Sequence, residues 1–306
     1  MSKSQEVPDF LAMVPKVFVK EVPEELPLVR KIMYGISLID PTNLLQTPTF
    51  KAPDALMSKY KSWINKQMNT GIRHWTSVTG GASMFVKAKS DGRIRTLVDL
   101  HFRNDNTQAD HTQIPEQTTI LNAVARGQFC SKIDLSDAYF QTRVHPDDVK
   151  YNTIKTSFHC FTSQVMMQGD INAPGTFVST MEDLLHHELG KNIWVYTDEI
   201  FVFSDTFEEY VKDVTNTCSM LQNAGYYANP KKSVFVATKL DILGHMIDDN
   251  GIHPAPEKIR TIMDCTRPES QKELQRFNRM VNYISQFIPH ITTITAPLTE
   301  LSGNAE

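Results

Sequence analysis

Two short segments place carboxylates where divalent-metal chemistry needs them. The first is Ile133-Asp134-Leu135-Ser136-Asp137-Ala138-Tyr139-Phe140 and the second is Tyr196-Thr197-Asp198-Glu199. In each, the acid follows a short apolar run, so the pattern sets Asp134 at a strand end and Asp198 and Glu199 at the tip of a tight hairpin. Hard cations such as Mg²⁺ take oxygen ligands, usually one or two carboxylates together with substrate phosphates. Two such ions about 3.5–4 Å apart can clamp the attacking and leaving oxygens of a phosphoryl transfer. An Asp after an apolar strand is more often a helix cap or a turn residue, so these residues alone define a candidate acidic site and no more.

The elements that must position these acids can be traced along the chain. Residues 1–50, punctuated by prolines, read as an extended, partly loose lead-in. A helix is expected over Ala55–Met68, with Leu56, Tyr60, Trp63 and Ile64 on one face. Ser83–Ala88 and Arg93–Leu100 flank the hairpin signal Ser90-Asp91-Gly92. Gln113–Arg126 reads as a helix, Gln128–Asp134 as a buried strand and Tyr151–Val165 as a pair of strands. Asn172-Ala173-Pro174 has the form of an N-cap with proline in the first turn, opening a helix to Leu189. Ile193–Tyr196 and Ile200–Ser204 form the hairpin that carries Asp198. Asp205 with Glu208 resembles a capping box for a helix reaching Ala224. Strands at Ser233–Ala237 and Asp241–Ile247, a turn at Asp249-Asn250-Gly251, and two final helices, Glu257–Asp264 and Ser270–Phe287, complete the chain. The class is α+β, with a mixed, mostly antiparallel sheet.

Composition narrows the function classes. A chain of 306 residues with 41% hydrophobic and 22% charged residues can bury the core of two or three subdomains. No run approaches the roughly 18 apolar residues of a membrane span, so no membrane association is expected. Cys130, Cys160, Cys218 and Cys265 are scattered without a CxxC pair, the usage of an intracellular protein with reduced thiols. The net charge of −4 gives no global support for a nucleic-acid partner, which must therefore be held by local patches. One such patch is Lys87, Lys89, Arg93 and Arg95, with Lys231 and Lys232 as a second basic point. His187-Glu188 is followed by Lys191 where a zinc protease needs its second His, and no Gly-Lys-Ser/Thr phosphate loop occurs.

Segments that follow one another in order along the chain resemble the boxes of reverse transcriptases, in particular those of gypsy-type LTR retrotransposons. Asp134 to Phe140 is similar to the D-x-x-x-A-Y-F segment of that family, and Tyr196 to Glu199 to its Y-x-D-D box. Gln168-Gly169-Asp170-Ile171-Asn172-Ala173-Pro174-Gly175-Thr176-Phe177 resembles Q-G-x-x-N-A-P-A-T-F. Phe85-Val86-Lys87 with Arg93 to Asp99 resembles the fingers hairpin. Asn229-Pro230-Lys231-Lys232, Leu243-Gly244-His245 and Gly251-Ile252-His253-Pro254 resemble the palm end and the start of the thumb. Order and spacing agree over residues 50–300.

The resemblance implies a right-hand polymerase-like fold. Its parts would be an N-terminal extension (1–50), fingers with the first palm strand (51–141), a second fingers segment (142–171), palm (172–248) and thumb (249–306). It implies an RNA-directed DNA polymerase, a nucleotidyltransferase acting on an RNA or DNA template with primer and on deoxynucleoside triphosphates. Mg²⁺, with Mn²⁺ as an alternative, would be held by Asp134, the Leu135 carbonyl, Asp198 and Glu199. Lys87 and Arg95 would hold the triphosphate, Tyr139 would exclude a 2′-hydroxyl, and Gln168 would line the nucleotide pocket. Leu243, Gly244 and His245 would grip the primer. The implied location is cytoplasm, nucleus or retrotransposon particle.

Three residues depart from the family pattern. Glu199 stands where the box has its second Asp, Asp170 adds negative charge near the triphosphate site, and His101 replaces an Arg. These departures leave a competing expectation, a non-catalytic module derived from a reverse transcriptase that binds nucleic acid or protein. The chain ends near the end of the expected thumb, with no room for an RNase H domain and with no protease or integrase motif.

Overall fold

The structure, a computed structural model, describes residues 8–43, 47–78, 80–88, 92, 94–237 and 239–303. In chain order its regular elements begin with α1 (Met57–Asn69), β1 (Arg73–Trp75), β2 (Ala82–Ala88), β3 (Ile94–Asp99), α2 (His101–Asp105), α3 (Gln117–Val124) and β4 (Phe129–Asp134). Then come β5 (Thr153–Lys155), β6 (Cys160–Ser163), α4 (Ala173–Leu185), β7 (Ile193–Tyr196), β8 (Glu199–Ser204), α5 (Phe207–Asn223) and β9 (Val234–Ala237). The last are β10 (Leu240–Ile242), β11 (His245–Asp248), β12 (Gly251–Pro254), α6 (Pro256–Met263), α7 (Gln271–Tyr283) and α8 (Ile291–Ser302).

The strands form three sheets. A five-stranded sheet has the order β1-β6-β5-β2-β3, antiparallel except for the parallel β2–β5 pair. A four-stranded sheet of order β7-β8-β4-β9 is antiparallel throughout, and β10-β11-β12 is an antiparallel meander. The expected α+β class with mostly antiparallel pairing is what this topology shows.

Each sheet has its own core. Helix α1 buries Tyr60 and Ile64 against Met84, Val86, Ile154 and Phe161 of the five-stranded sheet. Because side chains alternate along a strand, the four-stranded sheet covers two cores. Ile133, Val195, Ile200 and Val202 pack on one face with Phe177, Met181, Tyr210 and Val214 of α4 and α5. Cys130, Phe201 and Phe203 pack on the other with Ile120, Leu121 and Val124 of α3 and with Ile242 and Ile247 of the meander.

Several expectations are corrected. The lead-in is extended but tied down: Leu11, Val14 and Val17 are buried in the core beneath α5, and Ala228 exchanges hydrogen bonds with Val17 and Val19 at 2.7 and 3.2 Å. Arg30 donates to the carbonyls of Ala224 and Gly225 just beyond α5 and lies 3.8 Å over the Tyr226 ring. The cap of α5 is Thr206, whose hydroxyl accepts from Glu209 N, one residue beyond the Asp205–Glu208 frame. Helix α4 ends at Leu185, not Leu189. Its N-cap Asn172 makes no side-chain cap, using its amide instead to bind Asp110 N and Gln108 O, both at 2.8 Å. The run 241–247 divides into β10 and β11, and β1, β12 and α8 are additional elements.

Candidate active site

Strands β4 and β8 pair so that Asp134 lies directly opposite Glu199. Residues two apart on a strand share a face, so Lys132, Asp134 and Glu199 project to the same side. Beyond the ladder the two carboxylate segments are joined once more, because Leu135 N donates to Asp198 O at 2.9 Å. Asp198 sits in the two-residue turn Thr197-Asp198 between β7 and β8, with Thr197 at φ 49°. A β-branched residue in the left-handed region is strained, a state that persists where surrounding bonds over-determine it and that clusters at functional sites. Here the Thr197 hydroxyl donates to Asp198 Oδ1 at 3.0 Å, and Tyr196 and Glu199 close the hairpin. On its other side Asp134 is held by its backbone, accepting from Asn229 N at 2.8 Å and donating to Ser233 Oγ at 3.1 Å.

The carboxylates differ in environment. Asp134 is 6% exposed, and its Oδ1 is buried without a hydrogen-bond partner. The exposed Lys232 ammonium stands off at 3.4 Å from Oδ1 and 3.5 Å from Oδ2, close enough to offset charge but not a strong bond. Burial pushes the Asp134 carboxyl up from its ordinary pKa, Lys232 opposes this, and the Asp198 charge adds to the rise. Glu199 is also raised, first by burial, with Lys132 opposing. Its Oε1 accepts from Lys132 Nζ at 3.1 Å. Among the described residues no three His, Cys, Asp or Glu side chains converge on one point. A buried carboxylate oxygen left unbonded beside a second carboxylate is nevertheless the donor set a hard cation fits.

The remaining expected residues fall as follows. Tyr139, in a 3-10 turn after Asp137, is half-buried edge-on against Phe177 at 6.0 Å. Its hydroxyl pKa is raised by burial and then by the negative charge of Asp198. Leu135 is fully buried, its side chain part of the core. Gln168 is exposed. Asp170 is not a free charge near this site: its carboxylate is buried, paired with the buried Arg103 guanidinium, and accepts from Met167 N at 2.9 Å. Arg103 also donates to Asn152 Oδ1 at 2.6 Å, so the added acid completes an internal network. His101 is exposed and pairs with Asp99 at 2.7 Å, which raises its pKa.

Lys87 and Arg95 are cross-strand partners on β2 and β3, both exposed. Like charges directly opposite are unfavourable in a hairpin unless an anion relieves them. Lys89, Ser90, Asp91 and Arg93 lie outside the described residues.

Leu243 and Gly244, at φ 50° and 71°, make the tight turn between β10 and β11. The Tyr283 hydroxyl of α7 donates to Leu243 O, and its ring stacks on His245 at 4.9 Å. His245 is buried, with Gln286 Nε2 3.2 Å from its Nε2. A side chain at Gly244 would run into the Tyr283 hydroxyl. With Leu243 O taken by Tyr283 and Gly244 O by Ala255 N at 3.3 Å, the turn ties the meander to α7 and to the start of α6.

Three residues are site neighbours that the motif reading passed over. Lys132 neutralises Glu199. Lys232 faces Asp134, although the sequence marks it only as a basic point. The buried Gln141 amide bonds Ser136 O and Tyr227 O and accepts from Tyr227 N, at 2.5, 3.0 and 2.8 Å, fixing the chain that follows Asp134. A Gln two residues after the motif Tyr139 carries no signal that separates it from a surface amide.

Comparison with known proteins identifies the architecture. The family model for reverse transcriptase (RNA-dependent DNA polymerase) matches residues 86–247, which include both carboxylate segments. The retrovirus-related Pol polyprotein from transposon opus of Drosophila melanogaster is 29% identical over 216 residues, covering 71% of this chain and 22% of that protein. The transposon Tf2-3 polyprotein of Schizosaccharomyces pombe is 25% identical over 304 residues, 98% of this chain and 22% of that protein. The chain thus spans about a fifth of the length of these relatives. A foamy viral protease-reverse transcriptase solved with double-stranded DNA superposes on all of this chain and 57% of its own, with TM-score 0.81 and 21% identity. The foamy viral protein solved with an RNA/DNA hybrid gives TM-score 0.75 at 21% identity, over all of this chain and 44% of its own. The fold is the right-hand polymerase fold of these structures, and the chain belongs to the reverse transcriptase (RNA-dependent DNA polymerase) family, as a core of the LTR-retrotransposon kind.

Proposed function

We propose that the chain carries out template-directed DNA synthesis, adding deoxynucleotides to a primer on an RNA or DNA template. The observation that supports this most is the bond from Leu135 N to Asp198 O, which draws the strand end bearing Asp134 and the turn bearing Asp198 together. Asp134, Asp198 and the Leu135 carbonyl would hold Mg²⁺, or Mn²⁺ in its place. Bound there, a metal pair supplies activation of the primer hydroxyl and neutralisation of charge on the transferring phosphoryl group.

The chain's own residues supply binding and orientation. Lys87 and Arg95, opposed across the hairpin, offset triphosphate charge. The Tyr139 ring blocks a 2′-hydroxyl by volume. Gln168, exposed at the start of its segment, lines the nucleotide pocket. The Leu243-Gly244 turn, backed by Tyr283 and His245, supports the primer end. In this reading the five-stranded sheet is the fingers, the four-stranded sheet with α4 and α5 the palm, and α6 to α8 the thumb, with boundaries near residues 51, 142, 172 and 249. The gypsy-type boxes favour a gypsy-like element as its origin, acting in cytoplasm, nucleus or element particles. No helix among the described residues is long and apolar enough to cross a membrane.

The foamy viral structures hold an RNA/DNA hybrid and double-stranded DNA, and the same class of duplex is proposed as partner here. The test is extension of a labelled DNA primer on RNA and on DNA templates with Mg²⁺ and with Mn²⁺. Extension on both templates is expected. Duplex binding without extension under either metal would favour the second reading, a non-catalytic nucleic-acid-binding module, for which the engagement of Glu199 by Lys132 is the supporting observation.

A further inference from the structure

The second acid of the hairpin box has a cationic partner of its own. Glu199 is the cross-strand partner of Asp134, yet its carboxylate bonds Lys132, one pleat further down β4. Residues two apart on a strand share a face about 6.6 Å apart, so Lys132 reaches Glu199 across a diagonal of the ladder and occupies its carboxylate. The extra methylene of Glu, a bond of about 1.5 Å, extends the reach along that diagonal. The pair is also sheltered: the Lys132 and Glu199 side chains are 19% and 22% exposed. A sheltered ion pair holds its geometry better than one in open solvent, where the median contribution is small. The other lysine of the site differs in both respects, since Lys232 is 64% exposed and meets Asp134 only at 3.4–3.5 Å. An entering cation displaces Lys232 easily but must break a sheltered bond to recruit Glu199.

We infer that Lys132 is a positioning residue that holds the Glu199 carboxylate out of the metal cluster, leaving Asp134 and Asp198 as the ion-binding pair. This rests on the polymerase reading of the site. Lys132 touches no substrate; it acts through Glu199. Its presence would account for a family member working with Glu in the second acidic position, because the longer side chain is given a partner of its own.

The test is a double-mutant cycle read by Mn²⁺ binding, followed by electron paramagnetic resonance of free Mn²⁺ on the full chain. The variants are Lys132→Gln, Glu199→Gln and the two combined, with Lys132→Arg as the pair-preserving control and thermal melting as the check on folding. If Lys132 sequesters Glu199, then Glu199→Gln weakens Mn²⁺ binding by less than about threefold when Lys132 is present. It weakens binding by about tenfold or more in the Lys132→Gln background, where the freed carboxylate has become a ligand. Glu199→Asp, too short for the diagonal, should bind Mn²⁺ more tightly than the unmodified chain. Additive effects in the cycle would mean that Glu199 acts on the ions only through its charge, and would overturn the inference. The polymerase reading fails separately: Mn²⁺ binding that survives Asp134→Asn undiminished removes the cluster itself, and the Lys132 inference with it. Mn²⁺ binding that needs Asp134 but shows no coupling between Lys132 and Glu199 removes only the latter.

Discussion

Asp134 and Glu199 are directly opposed across the β4–β8 ladder, but only Asp134 keeps a buried oxygen free, Glu199 being turned onto Lys132. The opposition sets both carboxylates on one face of the sheet, and the identity of their cationic neighbours separates their roles. Asp134 faces an exposed lysine at 3.4–3.5 Å, and Glu199 a sheltered one at 3.1 Å.

The buried Asp134 carboxylate makes the metal-free protein sensitive to pH. Its folded-state pKa lies above the unfolded value because burial disfavours the anion. A raised carboxylate contributes stability at low pH, and that contribution is lost as pH rises through the folded pKa. Glu199 shifts in the same direction. In the presence of a chelator, Asp134→Asn should therefore melt a few degrees above the unmodified chain near pH 7, the difference shrinking toward about pH 4. Thermal melts across that range check this, and a variant less stable near pH 7 would contradict it.

Sugar selection tests the place of Tyr139. In the proposed role, a ring packed edge-on against Phe177 would act by volume, so its hydroxyl would be dispensable. Tyr139→Ala should admit ribonucleotides, with discrimination in single-nucleotide insertion falling by about tenfold or more, and Tyr139→Phe should keep it. Full discrimination in Tyr139→Ala would remove the assignment.

Much of this site is legible in the sequence, and what is not depends on distant pairing. Asp134 and Asp198 stand out because runs of strand length end at or just before them, Tyr139 only through the resemblance of Asp134 to Phe140 to a reverse transcriptase box, and the hairpin at Thr197 follows from the break between two such runs. Lys132 does not stand out, because its role depends on the register that sets Asp134 opposite Glu199. Asp170 reads as an added charge until Arg103, far away in the chain, is seen to neutralise it in the interior. The Leu243-Gly244 turn is hidden inside an apolar run because a leucine at positive φ is held there by Tyr283 from α7. Helix α8 is obscured by Pro297 in its middle and by its threonines.

The Arg103–Asp170 pair gives a prediction on stability. Both side chains are buried, and each has further polar partners, Asn152 for Arg103 and Met167 N for Asp170. Asp170→Asn leaves a buried guanidinium uncompensated, which costs about 3–5 kcal/mol. Denaturant unfolding should show that loss, whereas a change below about 1 kcal/mol would mean the charge is not held in the interior.

Nucleotide and duplex binding should separate at the hairpin. Replacing Lys87 and Arg95 together by Ala removes two opposed cations from the hairpin proposed to hold the triphosphate. The KM for deoxynucleotides should rise by about tenfold or more, while duplex Kd changes by less than about threefold. Duplex affinity in the unmodified chain should fall steeply with salt, as phosphate neutralisation requires. Equal losses in both affinities would show that the hairpin grips the duplex instead.

The most direct measurement of the central claim is single-turnover insertion of one deoxynucleotide, with saturating Mg²⁺ and preformed template–primer complex, by the unmodified chain and three variants. Slow insertion is expected from the unmodified chain, since Glu199 is engaged by Lys132. Glu199→Asp should insert about tenfold faster or more, because placement errors of about 1 Å near reacting atoms cost on the order of 100-fold. Asp134→Asn and Asp198→Asn should bind template–primer normally and insert nothing. Insertion that persists in Asp134→Asn at the unmodified rate would contradict the account, because no polymerase site built on that carboxylate survives its loss.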